Sequence, residues 1–436
     1  MLAKTFKQGV HPPGKKRLSN NRAIERVALP PQVIIPLSQH AGAPCRALVG
    51  KKDIVEEGQL IGEQTSFIGA PIHSSVSGKV VAVEPHPHPA LGQALAIKID
   101  VENESPRKWE QNSIVLEELS PDEIRSIVKK AGIVGMGGAG FPTAVKITPP
   151  SGKPIDTVIL NGCECEPYLT ADHRIMMERG EDCLFGLKAI MRATSAAKGI
   201  IGIEINKKNA IRHLKQLCRG ERAIQVVPVK TKYPQGGEKM LIKALLKREV
   251  PSGGLPLDVG VIVSNTSTSV AIAEAIKQDK PLIERVLTVT GPGVEKPANY
   301  LVPIGTPIEY LLNLSSVAED ATAIILGGPM MGIAQHSLQV PVIKGTSGIL
   351  VLTGHIAAEQ AEQPCVRCAR CVDRCPVGLL PTTLAKLIKA NAWDQLAEYH
   401  IMDCIECGCC TYVCPSKIPI VQLVKWGKNE LRKRKK

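Results

Sequence analysis

The sequence predicts a multidomain α/β protein, with a parallel α/β unit between two β-rich units and a cysteine-rich unit at the end. Its 436 residues are enough for three or four domains of ordinary size. Apolar, strand-like runs alternate with helical stretches in the middle of the chain, a pattern typical of a parallel sheet. Nine of the fourteen cysteines follow residue 355. We therefore divide the chain into units 1–112, 113–280, 281–354 and 355–436.

The composition excludes some classes of function. Hydrophobic residues make up 44% of the chain, so large cores are available, but aromatic residues are only 3%, which disfavours base stacking. The net charge of +13 is compatible with nucleic acid, an anionic membrane face or an acidic partner. Because the basic residues are spread along the chain, we expect no nucleic-acid binding.

Targeting signals and cysteine usage indicate the compartment. The sequence has no apolar run of about 18 residues and no apolar region near its start, so we expect neither a transmembrane helix nor a secretory signal. Thiols of such a chain stay reduced, so the fourteen cysteines indicate metal binding rather than disulfides.

The first unit, 1–112, contains short β-type runs interrupted by glycine and proline. The segments "VEEGQLIGE" and "APIHSSVSGKVVAVEP" predict hairpins with turns at Gly58, Gly62 and Gly78. They resemble the two halves of a barrel-sandwich domain, the shape of lipoyl and biotinyl carriers.

Two features of this unit have a functional and a structural interpretation. Carrier domains are modified on a lysine at a hairpin tip, but Lys79 stands where the chain enters a strand, so we expect no modification. His86 and His88 lie in "EPHPHPAL" and could bind metal, but the alternating prolines favour an exposed, rigid loop.

The second unit is predicted to be an α/β domain. Ser120, followed by Pro121 and two acidic residues, is a strong helix start. The runs "TVILNG", "GIIGIEI", "IQVVPV" and "DVGVIVSN" predict strands of a parallel sheet. The third unit is predicted to be a small β-rich domain with a helix.

The fourth unit contains an internal repeat. "CVRCARCVDRCP" and "CIECGCCTYVCP" both have the spacing C-x2-C-x2-C-x3-C-P of bacterial two-cluster ferredoxins. In that spacing three thiolates hold one cluster and the fourth reaches the other. We therefore predict two [4Fe–4S] clusters, with the ligand sets Cys365, Cys368, Cys371 and Cys414, and Cys404, Cys407, Cys410 and Cys375.

Zinc is the alternative, but two complete four-cysteine runs fit clusters better than paired zinc knuckles. Cys409 is left over from the pattern. It could compete with Cys410 as a ligand, although the register of the first copy favours Cys410. Otherwise it is a small buried hydrophobic residue.

The stretch "GIVGMGGAGFPTAVKI" contains the spacing G-x-G-x-x-G. A dinucleotide fingerprint of this kind follows a strand and opens a helix. Here the glycines follow the predicted helix, and the first convincing strand comes later, so the ordinary NAD fingerprint is excluded. The loop could still cradle a phosphate or a flat ring through backbone N–H groups, or be a plain turn.

Four segments in order resolve the question: "GMGGAGFPTAVKI", "ILNGCECEPYLTADHRIM", "KYPQGGEKMLIKAL" and "VIVSNTSTSVAIAEAI". Together they resemble the flavin- and NADH-binding subunit of respiratory complex I. Within this group the chain is most similar to the RnfC family, the cytoplasmic C subunits of Rnf complexes. "FKQGVHPPGKK" resembles that family's opening G-x-H-P-P-x-x-K, and the order of domains also matches.

The resemblance implies a barrel-sandwich domain, a Rossmann-like FMN-binding α/β domain, a small β-grasp (SLBB-like) domain and a two-cluster ferredoxin domain. It implies that the glycine loop and Lys146 bind non-covalent FMN and its phosphate, and that Phe141 lies where NAD(H) enters. Asn161, Glu164 and Glu166 would line the flavin and nicotinamide pocket, and Asn265 and Thr268 would hold the flavin phosphate or ribityl chain. Tyr233, Gly236 and Glu238 match the Tyr-Gly-Glu segment of the complex I relatives. The implied site residues are Gly135, Gly137, Gly138, Gly140, Phe141, Lys146, Asn161, Glu164, Glu166, Tyr233, Gly236, Glu238, Asn265 and Thr268.

The chain departs from the complex I relatives at three positions. Met136 stands in place of an arginine, Gly237 of a glutamate and Cys163 of an aspartate. Cys163 and Cys165 are interpreted as small packing residues rather than redox-active thiols.

The resemblance also implies the function. Electrons would pass between NAD(H) and ferredoxin through FMN and the two clusters, coupled to ion translocation by the complex. The implied partners are the membrane subunits and the ferredoxin-like B subunit, with ferredoxin itself an indirect partner. The implied location is the cytoplasmic face of the bacterial inner membrane. The alternatives are a soluble microcompartment cobalamin reductase, disfavoured by the long N-terminal unit, and a non-enzymatic relay.

Overall fold

The computed structural model describes residues 3–102, 109–354 and 361–434. The N-terminal part contains short strands that form two small sheets around one apolar core, as a barrel-sandwich requires. These strands are β2 Gln32–Pro36, β3 Arg46–Ala47, β4 Ile54–Val55, β5 Leu60–Glu63, β6 Ile72–His73, β7 Gly78–His88 and β8 Gly92–Val101. A further short strand, β1 Ile24–Arg26, precedes them and belongs to another sheet. The sheets have the orders β2-β8-β7-β4 and β3-β5-β6.

The two predicted hairpins are wrong. β4 pairs with β7, whereas β5 pairs with β3 and β6, so the strands of "VEEGQLIGE" belong to different sheets. Gly58 does turn the chain, with φ +86°, but Gly62 lies inside β5 and Gly78 begins β7. Glycine at Gly78 reflects close packing, since a Cβ there would lie 2.0 Å from the Asp100 carbonyl oxygen. Composition alone does not distinguish a turn glycine from one in a crowded sheet.

The predicted loop at His86 and His88 is also wrong, because β7 continues through both residues and pairs with β8 as far as His88. Pro85 and Pro87 are tolerated in β7 because β4 pairs only with the first two residues of that strand. Along the rest of β7, the edge that faces away from β8 has, among the described residues, no strand partner whose hydrogen bonds a proline would break. His88 is buried, and its Nε2 lies 2.8 Å from the Ser38 carbonyl oxygen. Lys79 is exposed within the strand.

The α/β domain has the predicted parallel sheet. Its order is β11-β10-β9-β12, and each neighbouring pair is parallel. The helix predicted after Ser120 begins at Pro121, and Ser120 and Glu123 form a capping box. The elements are α1 Pro121–Lys130, α2 Thr143–Lys146, β9 Thr157–Gly162, α3 Ala171–Glu178, α4 Gly180–Thr194, β10 Lys198–Glu204, α5 Lys208–Leu217, β11 Ile224–Val229, α6 Glu238–Leu246, β12 Val261–Asn265 and α7 Thr266–Gln278.

The third unit is a β-rich domain with one packed helix, as predicted. Its elements are β13 Glu284–Thr290, β14 Ala298–Pro303, α8 Ile308–Ser315, β15 Ala321–Leu326, β16 Ile333–Gln335 and β17 Gly348–Thr353. The sheet order is β1-β14-β13-β17-β15-β16, so β1 from the beginning of the chain completes this sheet. The boundaries drawn from the sequence stay a prediction.

The C-terminal unit is built from short helices around an apolar core that includes several of the cysteines. Its helices are α9 Arg370–Asp373, α10 Pro381–Lys389, α11 Cys409–Tyr412 and α12 Ile420–Arg434. The two short helices α9 and α11 each lie within one copy of the cysteine repeat. Among the residues that the structure describes, we find no helix with the length and apolarity needed to cross a bilayer.

Candidate flavin and iron–sulfur sites

The candidate flavin site lies at the carboxyl ends of β9 and β12. In the strand order β11-β10-β9-β12 the direction of winding reverses between these two strands, and open α/β sheets bind ligands at such a point. Asn161 stands near the end of β9 and Asn265 at the end of β12. Asn265 also caps α7, because its side chain accepts a hydrogen bond from the Ser267 N–H.

The glycine loop follows α1, as predicted, and is fixed to the first turn of α7. The Gly135 N–H donates to the Phe141 carbonyl at 2.9 Å, and the Met136 N–H donates to the Thr268 hydroxyl at 3.0 Å. A Cβ on Gly137 would lie 2.8 Å from the Asn265 amide nitrogen. Only glycine lets the loop approach β12 this closely, whereas the Met136 side chain is buried in the domain core.

The far end of the loop faces open space and the barrel-sandwich domain. A Cβ on Gly138 would meet no atom within 4 Å. Gly140 has φ +66°, and its carbonyl accepts from the Ala41 N–H at 3.0 Å. Phe141 is 37% exposed beside it. A flat ligand therefore has access to the loop on the Gly138 side.

The Tyr-Gly-Glu segment lies against the other predicted residues. The Asn161 amide donates to the Gly236 carbonyl at 2.8 Å. Lys146, at the end of α2, pairs with Glu238 at the start of α6, with Nζ and Oε1 2.5 Å apart. The structure thus brings Asn161, Gly236, Glu238 and Lys146 to one side of the sheet edge.

Glu164 and Glu166 are carboxylates in the loop after β9, and burial raises the pKa of both. The pKa of Glu164 rises to about 7, opposed mainly by the attraction of Lys16. Its Oε1 accepts from the Asp172 N–H at 2.7 Å, but its Oε2 is buried without a hydrogen-bond partner. The Lys16 ammonium lies 3.7 Å from this oxygen, so the two groups attract each other without a hydrogen bond, and the oxygen can accept one from a bound group.

Three charged residues of this site, Lys16, Lys207 and Asp172, were not predicted from the sequence. Lys16 donates to backbone carbonyls of the Glu164 loop, and Lys207 donates to the Cys163 carbonyl at 2.5 Å. Asp172 accepts from the Asn265 amide at 2.9 Å and thereby orients it. Lys16 is the lysine of the G-x-H-P-P-x-x-K motif and Asp172 lies in the quoted flavin segment, so both positions had a sequence signal.

Cys163 and Cys165 have the properties of packing residues. Burial is the main cause of a raised pKa at both thiols, and it raises that of Cys165 to about 12. A Cβ on Gly236 would lie 3.2 Å from the Cys163 Cβ, so the two segments are in close contact. Thiols held in the protonated form are poor nucleophiles.

The residues at the sheet edge fit a flavin. The site offers a glycine loop open on one side, a buried Glu164 oxygen without a hydrogen-bond donor, and the N-terminus of α7, whose dipole favours a phosphate. Lys146 lies within reach of the same edge, on the short helix that ends the loop. Which of these residues touch the flavin stays a prediction.

The cysteines of the repeat line two separate cavities. A cavity of about 660 Å³ is lined by Cys365, Cys368, Cys371 and Cys414, the first predicted ligand set. A narrower one of about 20 Å³ is lined by Cys375, Cys404, Cys407 and Cys410, the second set, together with Cys409. The tertiary structure therefore brings the fourth cysteine of each copy to the other copy, as crossed ligation requires.

Cys409 lies in one apolar cluster with Cys407 and Tyr233. It is fully buried, and its Sγ lies 3.9 Å from the Tyr233 carbonyl oxygen. Cys410 instead packs against the core of the C-terminal unit, with Cys404 and Cys414. Both thiols line the second cavity, and the assignment of Cys410 as the ligand stays a prediction.

The two sites meet at Tyr233. Its hydroxyl donates to the Cys407 carbonyl at 2.8 Å and lies 3.5 Å from the Glu166 carboxylate. The other Glu166 oxygen accepts from the Met330 N–H of the β-rich domain at 3.0 Å. The flavin-site loop, the β-rich domain and the second cysteine set are thus in direct contact.

The fold and these sites define a flavin-dependent iron–sulfur electron-transfer protein. Comparison with family models agrees domain by domain. Residues 4–104 match the RnfC barrel sandwich hybrid domain, 128–274 the Nuo51 FMN-binding domain, 286–334 the SLBB domain and 364–418 the 4Fe-4S dicluster domain. The FMN and [4Fe–4S] cofactors expected from the sequence are confirmed at this level.

Full-length relatives identify the family. The C subunit of the proton-translocating ferredoxin:NAD(+) oxidoreductase complex of Clostridium ljungdahlii is 45% identical, covering 99% of this chain and 95% of the relative. The C subunit of the Na(+)-translocating complex of Acetobacterium woodii is 42% identical over 98% of this chain and 97% of the relative. The chain belongs to the RnfC family, and the predicted family is confirmed.

A solved structure shows the same fold at a greater distance. The NAD+-reducing [NiFe]-hydrogenase in the H2-reduced state aligns with a TM-score of 0.51 and 19% identity. The alignment covers 72% of this chain and 61% of that chain. At this identity the likeness shows the fold alone.

Proposed function

We propose that this chain is the subunit of a membrane-bound Rnf complex that exchanges electrons with NAD(H). The relatives are named as subunits of ion-translocating ferredoxin:NAD(+) oxidoreductase complexes, so ferredoxin stands at the other end of the electron path. The partners are the other subunits of the complex, and the chain associates with them peripherally.

The contact between Tyr233 and Cys407 is the observation that carries this proposal. A hydrogen bond of 2.8 Å joins the Tyr233 hydroxyl of the flavin domain to the loop of the second cysteine set. A bound flavin exchanges two electrons as hydride with a nicotinamide and single electrons with iron–sulfur clusters. The chain's own contribution is to hold the two sites in contact.

The residues of the sheet edge have separate tasks in this proposal. Asn161, Asn265 and the glycine loop bind and orient the flavin, and Lys146 neutralises its phosphate. Glu164 and Glu166 shape the nicotinamide side of the pocket, and Phe141 stands at its entrance. The two cysteine sets hold one cluster each.

The cobalamin reductase alternative is not favoured, because the family model of the RnfC barrel-sandwich matches residues 4–104. A relay without a flavin is distinguished by experiment. We would purify the chain anaerobically, measure iron, sulfide and extractable flavin, and add NADH while following absorbance. We expect about eight irons and one FMN per chain, with bleaching by NADH. Eight irons without flavin or bleaching would leave only the relay.

A further inference from the structure

The N-terminal residues 3–26 first run along the flavin domain, and β1 at their end joins the sheet of the β-rich domain. The Lys4 N–H donates to the Pro228 carbonyl, and Val10 exchanges hydrogen bonds with Tyr233. The Tyr168 N–H then donates to the Gly14 carbonyl at 2.8 Å. We call residues 3–26 the N-terminal strap. It contacts both the Tyr-Gly-Glu segment and the loop that carries Glu164 and Glu166.

Lys16 is the centre of this contact. Its Nζ donates to the carbonyls of Glu164, Glu166 and Leu169 at 2.8, 2.7 and 2.5 Å. An ammonium group has three donors, and all three are used on one loop. The same Nζ lies 3.7 Å from the Glu164 carboxylate, and the Lys16 side chain is only 15% exposed.

The loop needs such support because its backbone is irregular. Glu164 has φ +47° and Tyr168 has φ +69°, conformations that residues other than glycine seldom adopt. Its carbonyls turn inward towards Lys16 instead of pairing with a strand. A conformation of this kind persists only where the surroundings determine it.

We propose that Lys16 is a positioning residue for the flavin–nicotinamide site: it fixes the backbone of residues 164–169 and holds an ammonium group beside the Glu164 carboxylate. The inference rests on the proposed function, because the loop it fixes is the one that would contact the flavin. It gives the lysine of G-x-H-P-P-x-x-K a role at a site more than a hundred residues further along the chain.

Charged groups around Lys16 explain why the ammonium matters beyond its hydrogen bonds. Burial lowers the pKa of Lys16, and attraction to Glu164 opposes that effect. Without this ammonium the pKa of Glu164 should rise above its present value of about 7. The titratable and charged groups that face this pair are Cys165, Glu166, Asp172, His173, Glu204 and Lys207.

The test compares Lys16→Met, Lys16→Arg and the matched control Lys15→Met, whose wild-type lysine is exposed and adjacent. The dissociation constant of FMN is measured by quenching of its fluorescence between pH 5 and 9. We expect Lys16→Met to bind FMN at least tenfold more weakly, with a pH midpoint above that of the wild type. Lys15→Met should remain within twofold of the wild type. FMN affinity and pH midpoint both unchanged in Lys16→Met would overturn the proposal.

A second variant and a second readout keep the test decisive. If Lys16→Met does not fold, Lys16→Arg carries the test: it keeps the charge, but its planar group cannot direct three donors to the same carbonyls. We expect Lys16→Arg to have the same pH midpoint as the wild type but to bind FMN more weakly. If Lys16→Arg binds FMN as tightly as the wild type does, the proposal is overturned.

Amide hydrogen exchange of residues 163–170 in flavin-free protein separates this inference from the proposed function. Faster exchange in the Lys16 variants supports the positioning role of Lys16, whether or not the wild type binds FMN. A wild type that binds no FMN would refute the proposed flavin site but not the positioning role. Unchanged exchange would count against Lys16 whatever the flavin does.

Discussion

The Tyr233 hydroxyl donates a hydrogen bond to the backbone carbonyl of Cys407 at 2.8 Å. Tyr233 is buried in the flavin domain, and Cys407 belongs to the second cysteine set of the ferredoxin unit. The same hydroxyl lies 3.5 Å from Glu166, so one side chain touches the flavin-site loop and the loop of the second cysteine set. This contact depends on both domains being in one chain and correctly docked.

Replacing Tyr233 with phenylalanine should loosen that docking. The Cys407 carbonyl would lose its donor inside the interface, and an unsatisfied buried acceptor costs about 1–3 kcal/mol. We expect NADH to bleach the flavin as in the wild type, while reduction of the iron–sulfur absorption becomes slower by about fivefold or more. Stopped-flow absorbance measures both phases.

Tyr310→Phe is the matched control, because Tyr310 also donates to a carbonyl, that of Ala28, but at an exposed position. Equal rates of iron–sulfur reduction in Tyr233→Phe and Tyr310→Phe would show that the contact with Cys407 does not matter for electron transfer.

Cys409 and Cys410 provide a direct test of the ligand assignment. Cys410→Ser should lose one cluster and retain about four of eight irons per chain, because cluster ligands are thiolates. Cys409→Ser should keep all of its iron, since the Cys409 thiol packs at the Tyr233 carbonyl. Iron and sulfide analysis after anaerobic purification measures the difference. Loss of iron in Cys409→Ser with none in Cys410→Ser would reverse the assignment.

Neighbouring glycines of the loop should respond differently to alanine. In Gly137→Ala the new Cβ would lie 2.8 Å from the Asn265 amide, disturbing the cap of α7. Loss of an N-cap costs about 1 kcal/mol, so we expect a lower thermal midpoint even without flavin.

The matched substitution Gly138→Ala meets no protein atom and should leave the flavin-free midpoint unchanged. Differential scanning fluorimetry compares the two, and equal midpoints would refute the close approach at Gly137.

Lys344 should give the stability of the protein a dependence on pH. Its Nζ donates to the Pro71 and Gly132 carbonyls, both at 2.7 Å, and its residue is 1% exposed. Burial lowers the pKa of Lys344 from 10.5 to about 7. The unfolded chain therefore binds more protons between these two values, and this residue's contribution to stability increases as the pH rises through that window.

Thermal midpoints at pH 7 and 9 test this expectation. The wild type should gain stability over this interval relative to Lys344→Met, which has no group to titrate. Lys79→Met removes an exposed lysine as the control and should follow the wild type. The same pH dependence in wild type and Lys344→Met would contradict the buried-lysine account.

The strand runs of the α/β domain and the cysteine repeat were predictable because each depends on local sequence. A short, continuous apolar run such as "TVILNG" is typical of a strand that is buried on both faces of a parallel sheet. It forms β9 from Thr157 to Gly162. The start of α1 was equally predictable, since its cap consists of neighbouring residues. The spacing of the repeat likewise grouped the cysteines that share a cavity, apart from Cys409, which also lines the second one.

The barrel-sandwich strands were predicted less well. Short β runs separated by glycines look like hairpins, but β4 and β5 belong to different sheets. Pairing between strands that are distant in sequence decides this arrangement, and the alternation of residues within one run contains no information about it.

The family, the cofactors and the order of the domains are predictable from the amino-acid sequence, because short motifs with fixed spacing encode them. Three contacts are visible only in the folded protein: Lys16 supports the Glu164 loop, Lys344 joins three units, and Tyr233 meets Cys407. Each of these contacts joins residues more than 100 positions apart, and a buried lysine or tyrosine has no local pattern that identifies its partner. Its hydrogen bonds are determined by how the domains pack, because a buried polar group must find a partner wherever the fold provides one.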